Sequence, residues 1–124
     1  DLPLLGFGTM ESSNKDPEEP LELVGMSVST ALKVGYRHFD SAEIYKSSSY
    51  LKEALSNSSI DRNQIFITSK IAGLPVGDYS VIKERVKKQL DITGLSYFDL
   101  LLIHWPGEQD FNFTGDPTES IKKA

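Results

Sequence analysis

The sequence predicts an α/β fold built on a parallel β-sheet, and three observations carry that reading. Short apolar runs of strand length alternate with longer segments whose apolar residues recur at helical spacing. The stretches after the runs are long and polar, whereas those before them are short. The last run, Phe98-Asp99-Leu100-Leu101-Leu102-Ile103-His104, is almost continuously apolar, as expected of a parallel strand covered on both sides. Alternation of this kind implies right-handed β-α-β units, and it places function at the carboxyl ends of the strands.

Taken in order, Leu4-Leu5-Gly6-Phe7-Gly8-Thr9 reads as a short strand whose glycines allow close approach of a backbone or a ligand. The stretch from Glu11 to Pro20 is rich in Ser, Asn, Asp, Glu and Pro and reads as an exposed loop. Leu21, Val24, Val28, Ala31 and Leu32 fall on one face of a helix, and Gly35 stands where a helix C-terminal glycine belongs. A strand over 36–40 follows. Ser47, Ser48 and Ser49 are N-cap candidates for a second helix bearing Tyr50, Leu51, Ala54 and Leu55, which Asn57-Ser58-Ser59 ends. Residues 65–70 form the next strand, and Gly73, Pro75 and Gly77 mark the loop after it. Asp78 or Ser80 caps a third helix that stacks Ile82, Val86 and Leu90 and stops near Gly94. After the final strand Trp105-Pro106-Gly107 is a break, a polar loop runs to Pro117, and residues 118–123 begin another helix.

Composition narrows the function. The 124 residues, 39% hydrophobic and 25% charged, suit one folded domain. A formal charge of −5 argues against a nucleic-acid partner. Lys83, Arg85, Lys87 and Lys88 cluster on a predicted helix, where a solvated outer face is the expected role. With no cysteine, neither a disulfide framework nor a thiolate metal site is expected, and no metal is predicted; a reducing, cytoplasmic setting fits. No apolar run approaches the roughly 20 residues of a membrane span, so no membrane association is expected.

Asp40, Lys70 and His104 each end a different predicted strand, and Tyr45 lies in the loop after the first of them. In a parallel sheet those ends share one rim, so four polar groups distant in sequence converge. Together they can donate a proton to a carbonyl oxygen. A phenol, with a pKa of about 10, is normally too weak an acid at neutral pH, and a neighbouring ammonium favours its phenolate. Asp40 would hold the lysine in place, and His104 could donate a hydrogen bond to the same carbonyl oxygen. The constellation lacks a hydride, which must come from a bound cofactor. Singly, Asp40 reads as a turn residue, Tyr45 as a half-buried ring, Lys70 as a solvated charge and Trp105 as packing or pocket lining. Three successive strands ending in such groups outweigh those readings. His38, on the same strand face as Asp40, reads as a satisfied interior histidine.

The segments Gly35-Tyr36-Arg37-His38-Phe39-Asp40-Ser41-Ala42-Glu43-Ile44-Tyr45, Ile67-Thr68-Ser69-Lys70 and Leu102-Ile103-His104-Trp105-Pro106 resemble the signature segments of the aldo-keto reductase family, in that family's order. Leu2-Pro3-Leu4-Leu5-Gly6-Phe7-Gly8-Thr9 is similar to its first barrel strand. The resemblance implies a (β/α)8 TIM barrel, of which residues 1–124 are a single partial domain covering about the first four β/α units. It implies NADPH-dependent reduction of a small aldehyde or ketone, with NADH also possible, by Tyr45 as general acid, tuned by Lys70 and Asp40. In the same reading His104 orients the carbonyl, Trp105 stands beside the substrate, and Gly8, Thr9, Met10 and Asp40 lie near the nicotinamide end of the cofactor.

Many members of the family carry Trp-Lys after the Thr of the first strand, where this chain has Met10-Glu11. Barrels of this type take roughly 250 residues. The expectation is therefore an N-terminal half of a longer reductase that is a monomer when whole, also lacking a short segment before Asp1. Half a barrel exposes its interior face and two strand edges, so the 124-residue piece alone is expected to be inactive. Two other readings are a nucleotide-binding regulatory subunit, as in the potassium-channel β-subunit relatives, and an inactive truncated product.

Overall fold

The computed structural model describes residues 2–10, 22–71 and 78–105. The elements run β1 (Gly6–Gly8), α1 (Glu22–Lys33), β2 (His38–Asp40), α2 (Ser48–Ser56), a 3-10 turn (Arg62–Gln64), β3 (Phe66–Ile71), α3 (Tyr79–Thr93) and β4 (Leu100–Ile103). The four strands form one parallel sheet in the order β1-β2-β3-β4. The predicted order of elements is thus present in these residues. The expected loops over 11–20, 72–77 and 106–117 and the helix over 118–123 lie outside the described residues.

Register decides which side chains meet. Gly8 pairs with Asp40 and Asp40 with Thr68, while Lys70 pairs with Leu102. Because strand side chains alternate, Phe7, Phe39 and Ile67 share one face of the sheet. On that face Phe39 and Ile67 are fully buried against Val28, Ala31 and Leu32 of α1 and Leu51 and Ala54 of α2. Phe7 closes the cluster edge-on to Tyr36, with ring centroids 5.7 Å apart. The opposite face carries the polar His38, Asp40, Thr68 and Lys70 beside Gly6, Gly8, Phe66, Leu100 and Leu102. His38 is satisfied there as expected, its Nε2 lying 2.9 Å from the Thr68 hydroxyl.

Two of the three helices, α1 and α3, stop where glycine permits it. At the end of α1, Gly35 takes a φ of +103°, and its N–H donates to the Leu32 carbonyl while that of Tyr36 donates to Ala31. That pair of bonds is the Schellman arrangement, which satisfies carbonyls the helix would otherwise orphan. Gly94, at φ +66°, ends α3 the same way through Asp91 and Leu90. Asp78 caps α3, its carboxylate accepting from the N–H of Ser80 at 2.9 Å, which decides between the two predicted caps.

Four expectations need correction. Strand β4 is exposed along its whole length, Ile103 to 66%, rather than covered on both sides. Among the described residues it is an edge strand, paired with β3 alone. Ser47 occupies the N-cap of α2 but makes no side-chain cap bond, because its backbone is helical there, and its buried hydroxyl has no hydrogen-bond partner among the described residues. The buried residues of α3 are Gln89 and Thr93, not the Ile82, Val86, Leu90 stripe, whose members are half-buried. Finally, Lys83, Lys87 and Lys88 are exposed as expected, but Arg85 turns inward to Glu43.

Candidate active site

The backbone beyond the strand ends sets the site. After β2 the chain keeps to its neighbour, the Ser41 N–H donating to the Thr68 carbonyl at 2.8 Å and that of Glu43 to the Lys70 carbonyl at 2.9 Å. On the other side the N–H and hydroxyl of Thr9 both donate to the Asp40 carbonyl, at 3.0 and 3.1 Å. Asp40 is thus held between β1 and β3. The His104 N–H donates to the Ile71 carbonyl at 3.0 Å, which extends the β3–β4 ladder to that ring. Tyr45 lies in a tight turn, its N–H donating to the Ala42 carbonyl at 3.1 Å.

These constraints bring Asp40, Tyr45, Lys70 and His104 together. The Lys70 ammonium donates to the Asp40 carboxylate and, at 3.0 Å, to the Ser41 carbonyl. It stands 5.2 Å from the centroid of the Tyr45 ring. The His104 ring meets Tyr45 edge-on at 5.9 Å, and Trp105 stacks on His104 at 5.4 Å with an interplanar angle of 14°. One charge is therefore held by a carboxylate and a carbonyl over a phenol, with an imidazole at that phenol's edge.

Burial, and secondarily the Lys70 charge, hold the His104 imidazole below its ordinary pKa, against a smaller opposing pull from Asp40. Near neutral pH the ring is consequently uncharged, with one nitrogen a donor and the other an acceptor. Its Nδ1 is buried and has no hydrogen-bond partner among the described residues.

Of the residues predicted near a cofactor, Gly8 has open space beside it among the described residues, where a Cβ built on it would meet nothing within 4 Å. Met10 is exposed, whereas Thr9 is only 1% exposed with its hydroxyl committed to Asp40, so Thr9 shapes the wall rather than lining it. Among the described residues no three His, Cys, Asp or Glu side chains converge as metal ligands. No described helix is long and apolar enough to cross a membrane.

Sequence reasoning missed one feature of the site's frame. Arg85 of α3 grips Glu43 with two nitrogens, Nε donating to Oε1 at 2.9 Å and the second to Oε2. The hydrogen bond that Arg85 donates to Glu43 is the main cause that raises the Arg85 pKa above its ordinary value. The signal was present in the spacing. Arg85 lies three residues after Ile82 and four before buried Gln89, which puts it on the inner face of α3.

A model described as the Aldo/keto reductase family matches residues 4–112. The chain is 39% identical over 105 residues to aldehyde reductase YPR1 of Saccharomyces cerevisiae, covering 85% of this chain and 30% of that protein. It is 34% identical over 123 residues to glyoxal reductase of Bacillus subtilis, covering 99% of this chain and 42% of that one. The structure superposes with a TM-score of 0.72 on the aldo-keto reductase AKR2E4 of Bombyx mori in complex with NADP, at 26% identity, over 93% of this chain and 38% of that one. The chain thus spans between 30% and 42% of the length of these relatives. Its four-stranded parallel sheet with flanking helices is an incomplete section of the TIM barrel of its structural neighbours. The chain belongs to the aldo/keto reductase family.

Proposed function

We propose that this chain is the N-terminal part of a reductase that converts an aldehyde or ketone to an alcohol with NADPH, and that Tyr45 donates the proton. The observation that carries this reading is the Lys70 ammonium 5.2 Å from the Tyr45 ring centroid, held there by Asp40 and Ser41, with His104 at the same ring. As the phenol gives up its proton, negative charge grows on a ring that already faces a fixed cation. Electrostatics arranged in advance need no reorganisation at the moment of reaction. Asp40 keeps that cation in place, and the neutral His104 donates a hydrogen bond to the carbonyl oxygen that Tyr45 protonates. Trp105, stacked on His104, fixes the plane of the imidazole and forms part of the substrate wall.

A bound nicotinamide supplies the hydride. Gly8 and Met10 would line its nicotinamide end, with Thr9 holding Asp40 beside it. The aldehyde and glyoxal reductases among the relatives support carbonyl reduction, and the NADP complex of the Bombyx mori relative supports NADPH as the cofactor to test first.

The test is carbonyl-dependent oxidation of NADPH by the longer protein that carries this chain, with a nitrobenzaldehyde as substrate and NADH as the comparison. Tyr45→Phe is expected to bind NADPH normally and to lose about 10²–10⁴-fold in kcat, the usual worth of a positioned general acid. Unchanged turnover in that variant would remove Tyr45 from the role.

A further inference from the structure

We propose that Arg85, in the middle of α3, is a positioning residue for Tyr45 and acts through Glu43; this rests on the reading of Tyr45 as the proton donor. The loop from Ser41 to Ser47 carries Tyr45 between β2 and α2. On the strand side its path is fixed by two backbone bonds to β3, from Ser41 to Thr68 and from Glu43 to Lys70. Beyond Glu43 the described backbone bonds are local, from Tyr45 to Ala42 and from Leu51 to Ser47, so they fix the shape of the turn but not its position.

The Glu43 side chain anchors this loop to α3. Its carboxylate, 19% exposed, takes both nitrogens of a fork presented by Arg85, itself 25% exposed, from the middle of α3. A two-point planar contact fixes direction as well as distance, which a single ion pair does not. The anchor sits two residues before Tyr45 and on the very residue whose N–H meets the Lys70 carbonyl. The pair therefore ties the phenol's loop and the lysine's strand to one helix. A misplacement of about 1 Å in a reacting group costs on the order of 10²-fold in rate.

The experiment is a kinetic cycle in the longer protein, with Arg85→Met, Tyr45→Phe and the double variant, plus amide hydrogen exchange of residues 43–47. Arg85→Met is expected to lower kcat by about 10–100-fold with the NADPH dissociation constant within twofold, and to speed exchange in 43–47 while α1 is unchanged. Arg85→Lys, which keeps the charge but loses the fork, should recover only part of the rate. In the Tyr45→Phe background Arg85→Met should cost nothing further. Equal losses in both backgrounds, or unchanged exchange in 43–47, would overturn the proposal. A Tyr45→Phe variant of full activity would instead sink the proton-donor reading, and the exchange result would still decide whether Arg85 holds the loop. If Arg85→Met does not fold, Glu43→Gln, which weakens the same contact from the other end, takes its place in the cycle with the same expected outcomes.

Discussion

Replacing Lys70 with methionine keeps the bulk of an unbranched side chain that is 14% exposed and removes only its charge and its donors. Three interactions go with it: the ion pair with Asp40, the bond to the Ser41 carbonyl and the cation at the Tyr45 ring. The ground-state contacts are modest. Asp40 is 37% exposed, so solvent compensates for much of its lost pairing, and a cation at an aromatic face contributes about 0.5–2 kcal/mol. The larger effect is on the reaction, where losing a group aimed at developing charge costs about 3–4 kcal/mol. We therefore expect kcat to fall about 10²–10³-fold with a KM for the carbonyl within a few-fold of the parent. An NMR titration gives a second readout that needs no turnover. The Lys70 charge is one cause of the depressed His104 pKa and Asp40 opposes it, so His104 should titrate higher in Lys70→Met. A kcat within threefold of the parent, or a His104 titration that moves down, would refute the reasoning.

The depressed His104 pKa also has a sign for stability. Folded His104 binds its proton less readily than the unfolded chain, whose value is 6.5, so stability rises with pH through that interval. Its contribution is complete above the unfolded value and is lost as the pH falls through the lower folded one. His104→Asn should flatten that acid-side slope in denaturant midpoints measured at pH 5 and 7.5, and an identical slope in variant and parent would contradict it. The two glycines of β1 should behave oppositely. In Gly6→Ala the new Cβ lies 2.9 Å from His38 Nδ1, on a ring held by Thr68 and edge-on to Phe66, and should cost about 1–2 kcal/mol by denaturation. Gly8→Ala meets open space, so it should leave the denaturation midpoint nearly unchanged while weakening NADPH binding in a fluorescence titration.

The cluster was legible because parallel strands bring their ends to one rim, and Asp40, Lys70 and His104 all sit at such ends. Helix stops were legible for a local reason, since Gly35 and Gly94 take the positive φ that side-chain-bearing residues avoid. Strand limits were less so. Leu4 and Leu5 read as strand but stand 103% and 72% exposed, because apolar character alone does not supply a pairing partner. The exposure of β4 was illegible from its own residues, since a run of leucines has the same appearance whether or not anything covers it. The 3-10 turn at Arg62–Gln64 went unread although Asp61 and Gln64 form a capping box across it. Arg62 also bonds Tyr97 and Asp99, a long-range clamp that no local pattern announces. Arg85 was misread because three neighbouring lysines made a charged face the simpler account, and its partner lies 42 residues away.

The most direct test of the central claim is a single-turnover measurement in the longer protein, with NADPH bound before mixing with excess aldehyde. The rate of NADPH oxidation then reports the chemical step and the amplitude reports bound cofactor. With Tyr45 as proton donor, Tyr45→Phe keeps the amplitude and slows the rate by about 10²–10⁴-fold. An equal rate at equal amplitude would mean that the proton comes from elsewhere and that the Lys70–Tyr45 contact is structural.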